Sequence, residues 1–314
     1  MKNKQVKKAL NYHEEQVQKG AKKAIGIMAK DGFDGVNYNK TFAVNLDGEF
    51  AAAPTPVTSE SEVGMAKLMG ASSTDFPTVS VATTLAMMQH GGLIGIGIEN
   101  NVYDIQKGMN AKDGRIAKET FTAYQKIEEA HQSIVWGTSD IFNKSNLLGF
   151  YTHPHIVRGE FETVAGKTKW ADKTPAQIVD DVTSSVRHYF NLNPKLREGA
   201  VEIMYYLPIA LFDILSLTKM EDNKDKSIMQ HLKKFLPENS YNVKFGIANA
   251  LATKDANFVA IGDFRKSSMS YEIPLTTEGL ETDINSMLVR KNFIAESRGL
   301  TVEKKYAAVI FEGA

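Results

Sequence analysis

The side chains best suited to bind or activate anything in this 314-residue chain are two histidines separated by one proline, His153-Pro154-His155. In an extended segment both imidazoles point to one side, which is how a metal site can begin. The chain has no cysteine, so a zinc site would need its third ligand from a distant part of the fold. The other histidines, 13, 90, 131, 188 and 231, are scattered. The pair is read as a histidine-rich turn, and no metal is predicted.

Other chemical signals are weaker. Gly95-Ile96-Gly97-Ile98-Glu99-Asn100 begins like a dinucleotide loop but lacks the third glycine, and no helical pattern follows it, so it is read as a closely packed strand. Glu128-Glu129 and Asp180-Asp181 sit next to each other on predicted helices. Adjacent helical side chains point about 100° apart, so neither pair can share a proton, and both are read as solvated faces. The acidic run Glu221-Asp222-Asn223-Lys224-Asp225 lacks the ligand order and glycine of a calcium loop. No phosphate-binding loop, nucleophile elbow or His-Glu-x-x-His is present. Without cysteine there are neither thiolate nucleophiles nor disulfides, which fits a reducing compartment. No catalytic residue, cofactor-binding residue or cofactor is predicted. An enzyme site would have to be assembled from distant residues.

The elements that would position such groups are easier to read. Ile116, Thr120, Ala123, Tyr124, Ile127, Ala130, Ile134 and Val135 recur three and four apart, predicting one long helix over residues 113–136. Asp113 is its expected N-cap and Gly137 its left-handed stop. An uncharged aromatic and glycine-containing tail follows. Thr174-Pro175-Ala176-Gln177 opens a second helix with a capping box and proline at its first position. Predicted helices at 208–219 and 225–236 alternate with strands at 200–206, 243–248, 258–261, 268–273, 287–296 and 306–311. Helices and strands mix without regular βαβ alternation, so the class is α+β.

Two segments do not fit a self-contained domain. The first thirty residues carry eight lysines against Glu14 and Glu15, with a weak helical stripe through Val6, Leu10, Val17, Ala21, Ala24 and Met28. This is either a solvated surface helix or an arm that docks on a neighbour. Residues 42–97 are rich in alanine, serine, threonine, proline and glycine. Ser59-Glu60-Ser61-Glu62 is compatible with the start of a short helix through Met69. It is equally compatible with one side of a hairpin turning near 70–74 and returning over 79–87. Either way the stretch buries little, which marks an arm that needs a partner. Hydrophobic residues make up 43% and charged residues 24%, an ordinary globular balance. No apolar run approaches the ~20 residues of a membrane span. Lys+Arg and Asp+Glu both total 37. A net charge of zero favours association over nucleic-acid recognition.

Three blocks, in order, carry a resemblance. They are Gly64-Met65-Ala66-Lys67 with 74–81 (TDFPTVSV), the long helix running into Trp136-Gly137-Thr138-Ser139-Asp140 and Leu147-Leu148-Gly149-Phe150-Tyr151-Thr152-His153-Pro154, and Arg298-Gly299-Leu300-Thr301-Val302 with 306–313. Together they resemble the major capsid proteins of tailed bacteriophages, in the Hong Kong ninety-seven type shell fold, from about residue 60 onwards. Phe150-Tyr151-Thr152-His153 departs from the family's usual shorter leucine-asparagine turn.

The resemblance implies an N-terminal arm (1–45), an extended loop with flanking strands (46–95), and a peripheral domain (96–172) with a spine helix at 113–136. It further implies an axial domain (173–252) and return strands of the peripheral domain (253–314). It also implies that residues 59–69 are extended. The implied function is a structural shell protein that self-assembles into pentamers and hexamers of an icosahedral head around double-stranded DNA. The alternative is an encapsulin-like nanocompartment shell with the same fold. Inter-subunit contacts are expected at Met65, Lys67, Met69, Phe76, Val79 and Val81, with Lys2, Lys4, Lys7 and Lys8 on the reaching arm. The implied partners are further copies of the chain, with scaffold, portal and decoration proteins and non-specifically held DNA, but no membrane. The implied location is the virion, with assembly in the host bacterial cytoplasm.

Overall fold

The computed structural model describes residues 2–30, 32–47, 55–63, 80–89, 91–138, 147–161, 169–198, 201–221, 225–252, 256–285 and 287–313. The first half contains α1 (Lys2–Lys30), α2 (Tyr38–Thr41), β1 (Ala43–Asn45), β2 (Thr55–Val63), β3 (Ser80–Gln89), β4 (Gly92–Asn101), α3 (Val102–Ala111), α4 (Arg115–Trp136) and β5 (Val157–Glu160). Then come α5 (Pro175–Leu192), α6 (Pro194–Glu198), β6 (Ile203–Leu207), α7 (Ile209–Leu217), α8 (Ile228–Glu238), β7 (Val243–Ile247) and β8 (Phe258–Gly262). Last are β9 (Met269–Glu272), β10 (Leu275–Gly279), β11 (Asp283–Asn285), β12 (Leu288–Ser297), β13 (Gly299–Val302) and β14 (Ala308–Glu312). The chain divides into two compact units, and each draws on three separate stretches of sequence.

The first unit comprises residues 1–52, 90–151 and 270–300. Strand β12 is its axis. It pairs antiparallel with β4 along ten residues, from Leu288↔Asn101 to Ser297↔Gly92, and with β10 and β11 on its other edge. The 22-residue α4 packs on β4 and β12, burying Ile116, Thr120, Ala123, Tyr124, Ile127, Ile134 and Val135. This is the expected stripe, except that Glu128 and His131 are buried where Ala130 was expected to be.

The helix starts two residues later than the sequence predicts. Gly114 occupies the N-cap in the left-handed region (φ 64°), and Asp113 instead accepts the Arg115 backbone N–H through Oδ1 at 3.1 Å. Gly137 (φ 70°) ends the helix as expected. The tail then folds back: Phe150 and Tyr151 donate backbone N–H bonds to Val135 and Trp136. A Cβ on Gly149 would lie 2.3 Å from the backbone of Gly137 and Ile134, so only glycine permits this approach. Trp136, Phe150 and Phe42 form an aromatic cluster there, with ring centroids 5.0–5.7 Å apart.

The second unit holds residues 53–89, 152–269 and 301–314. Its five-stranded sheet runs β5-β14-β8-β6-β7, with α5 packed on β8 and β14, α8 on α5, and α7 on α8. Both α5 and α8 open with capping boxes, Thr174 with Gln177 and Ser227 with Gln230. Residues 253–314 were expected to return to the domain of the long helix. Only 270–300 join that unit, whereas β8 and β14 pair with each other and β8 pairs with β6. Period-two apolar runs do not say which sheet they join, and here the pairing decides.

Other differences are local. Helix α3 follows β4 where no helix was expected, capped by Asn101 Oδ1 accepting the Tyr103 N–H at 2.8 Å. Between helix and hairpin for residues 59–69, the structure takes the hairpin for the described part. β2 and β3 pair antiparallel from Thr55↔Gln89 to Val63↔Ser80. Threonine and valine in 55–63 favour a strand.

Candidate functional site

Shell assembly needs surfaces that lack partners within one chain. The β2–β3 ribbon is the clearest. Among the described residues it pairs with no other strand, so both outer edges keep open backbone donors and acceptors. A two-stranded ribbon alone is marginally stable in water. The expected contact residues Met65, Lys67, Met69, Phe76 and Val79 lie outside the described residues, and Val81 lies on β3 opposite Glu62.

The arm is the 29-residue α1. One face packs along α4 and α3 while Lys7, Lys8, Lys19, Lys22, Lys23 and Lys30 stay exposed, so within its unit it is a surface helix docked on its own chain. The buried line is Ala9, His13, Gln16, Val17, Gly20 and Ala24, not the stripe expected through Val6, Leu10 and Met28. Small residues let the helices approach: a Cβ on Gly20 would lie 2.4 Å from the Ala117 carbonyl oxygen. Sequence reasoning missed this because a stripe of small and polar residues has little hydrophobic signal. Lys2 and Lys4 lie in α1, and Lys7 and Lys8 are exposed on it.

The groups considered for chemistry have structural partners. His153 and His155 lie in a turn with rings 5.3 Å apart, both buried. His153 Nδ1 accepts the His155 backbone N–H at 3.1 Å, and burial pulls its pKa down to about 3. Among the described residues no three His, Asp or Glu side chains converge as metal ligands.

The two acidic pairs need correction, because one member of each is buried rather than solvated. Glu128 accepts the Tyr38 hydroxyl at 2.7 Å, and burial raises its pKa. Asp181 accepts Lys173 Nζ at 2.8 Å and Trp170 Nε1 at 3.0 Å. Its pKa is raised by burial, with both bonds acting against the rise. Gly95 and Gly97 lie in β4 against β12, as read from the sequence; a Cβ on Gly97 would meet Asn292 Oδ1 at 2.6 Å. In the second unit, Asp263 is gripped by Arg265 through two 2.7 Å bonds and by Ser268 at 2.5 Å, and its pKa is lowered. These constellations brace loops and cores.

Residues 64–313 match the family described as major capsid protein. No curated protein matches. Among solved structures, the chain is similar to the capsid of Myoviridae phage XM1, with TM-score 0.68 and 11% identity over 90% of this chain and 93% of that one. It is also similar to the capsid of a native GTA particle, with TM-score 0.53 and 12% identity over 90% and 91% of the two chains. A virus-like particle from Pyrococcus furiosus follows, with TM-score 0.50 and 12% identity over 94% and 98%. At such identities the likeness shows the fold. That fold and the family match over four-fifths of the length agree: the chain belongs to the major capsid protein family, in the Hong Kong ninety-seven type shell fold of tailed phages.

Proposed function

We propose that this protein assembles with copies of itself into pentamers and hexamers of an icosahedral head that encloses double-stranded DNA, built in the cytoplasm of the bacterial host. The β2–β3 ribbon carries the reading: a long two-stranded element with both edges open gains its stability from a neighbour's backbone or side chains. The contact residues on this reading are Met65, Lys67, Met69, Phe76, Val79 and Val81. The role is structural, with no reaction catalysed. Scaffold, portal and decoration proteins are the further partners. DNA is held at the inner surface by charge rather than by sequence.

Deleting residues 60–85 tests the reading. The subunit should stay soluble, with an unchanged melting transition for the long-helix unit, yet form no closed shells in negative-stain electron microscopy. Normal particles from the deletion would sink the assignment of the ribbon. A second reading is an encapsulin-like compartment shell, since the chain is also similar to a solved particle described as virus-like rather than as a phage capsid. Nuclease-protected DNA in purified particles separates a phage head from such a compartment.

A further inference from the structure

The formal charge of zero conceals an uneven distribution. Helix α1 carries eight lysines against Glu14 and Glu15, a net +6, so the rest of the chain carries −6. The docked line through Ala9, His13, Gln16, Val17, Gly20 and Ala24 takes up one side of the helix. At 100° per residue, Lys8, Glu15, Lys19, Lys22 and Lys30 fall together on the far side, and all five are exposed. Two exposed lysines have partners on their own chain. Lys19 Nζ lies 2.7 Å from Glu15 Oε1, and Lys23 Nζ lies 5.1 Å from the centroid of the Phe121 ring. Lys7, Lys8, Lys22 and Lys30 are exposed and form no ion pair among the described residues. From Lys8 to Lys30 the helix advances about 33 Å, close to one turn of B-form DNA. One side of α1 is therefore a rigid row of cations on a chain that is otherwise acidic.

We propose that this face of α1 meets the enclosed duplex DNA and touches it through phosphates alone. Composition selects the occupant. Interfaces between proteins are depleted in lysine, whereas a repeating polyanion rewards spaced point charges by releasing its counterions. An anionic membrane would call for apolar side chains that insert beside the lysines. The apolar side of α1 is committed to α4 and α3, and among the described residues Ile25 is the one large hydrophobic side chain left exposed on the helix. Composition also rules out sequence readout by this face. Helix α1 has no arginine to fork onto a guanine, and its single tyrosine, Tyr12, donates its hydroxyl to the Gly108 carbonyl at 3.4 Å rather than offering a ring for bases to stack on. The inference rests on the DNA-enclosing reading above and names the surface by which the shell holds its contents.

The test changes Lys7, Lys8, Lys22 and Lys30 together to glutamine in the full chain, which leaves the docked line of α1 intact. Binding of a fluorescein-labelled duplex of mixed sequence is followed by anisotropy over a series of salt concentrations. Losing four phosphate contacts should flatten the slope of log K against log salt by about 3–4. The melting point and the shells seen by electron microscopy should stay as in wild type. Arginine at the same four positions keeps the charge and should restore the slope. A control with Lys195, Lys233, Lys234 and Lys244, exposed in the second unit, changed to glutamine loses as much charge and should keep the wild-type slope. Equal slopes for wild type and the α1 variant, or an equal loss in the control, would overturn the inference. So would a folded α1 variant that binds DNA as wild type does yet builds no shells, which would make the face a contact between subunits. Wild-type particles without nuclease-protected DNA would sink the DNA-enclosing reading, and this contact with it.

Discussion

Lys173 and Asp181 are kept almost wholly out of water, with their side chains 0% and 6% exposed. The pair is held by geometry: the lysine lies at the end of a 3-10 turn, and the Trp170 indole N–H donates to the same Asp181 oxygen. Replacing Asp181 by alanine removes a buried anionic partner of the Lys173 ammonium, a change that costs about 3–5 kcal/mol. The denaturation midpoint should fall sharply when followed through Trp170 fluorescence, with Trp136 replaced by phenylalanine to isolate the signal. A Lys173→Met, Asp181→Leu double variant should recover much of the loss, since it removes both charges.

Buried histidines give stability a pH dependence of known sign. His131 Nδ1 is 2.8 Å from the Tyr271 hydroxyl, which accepts from Ser297 Oγ, so the tyrosine proton points to the imidazole. Desolvation lowers the pKa to about 4 for His131 and about 3 for His153, and lowers that of His13 as well. The unfolded chain takes up these protons near pH 6.5, before the folded chain does. Stability is therefore complete above that pH and drains away as pH falls towards 3–4. Each tenfold change in proton affinity is worth about 1.4 kcal/mol. Glu128 and Asp181, raised by burial, act in the opposite sense and lose stability as pH rises through their own transitions. Urea unfolding at pH 7.5 and 5.5 should show the histidine effect as a lower midpoint at the acidic pH, and His131→Gln should shrink the gap.

Among the elements, α1 is the one most easily detached. Its buried line includes His13 and Gln16, and neither ring nitrogen of His13 has a hydrogen-bond partner. Gly20→Ala should undock the arm, because the added methyl has no room beside Ala117. Trypsin should then cut at Lys19, Lys22 and Lys23 several-fold faster than in wild type, with the rest of the chain unaffected. The elements also show what the sequence made legible. The stripe of α4, its stop at Gly137 and the Thr174 capping box were readable because periodicity and caps are local signals. Helix α3 escaped because its cap and apolar residues fit a strand's continuation equally well. Short strands such as β10 and β11 are defined by β12 rather than by their own residues. The contact residues expected between 65 and 81 came from resemblance alone, and the outward side of α7 shows only in the fold.

Taken whole, neither unit is a contiguous piece of sequence. In the second unit β14 lies between β5 and β8, so residues 152–269 alone lack an interior strand of their own sheet. That fragment should show poorly dispersed amide resonances, and a peptide of residues 301–314 added in trans should restore dispersion. If 152–269 alone gives a native-like spectrum, β14 is dispensable to the unit.

The position of β14 also sets the timing of synthesis. A growing chain can dock its arm on the long helix once residue 136 has left the ribosome. The five-stranded sheet stays incomplete until residue 312 emerges. Polysome neighbours crowd many copies of one sequence together, where premature pairing would be hard to reverse. A sheet closed by the latest-made of its five strands keeps the second unit from completing its fold until that strand is synthesised.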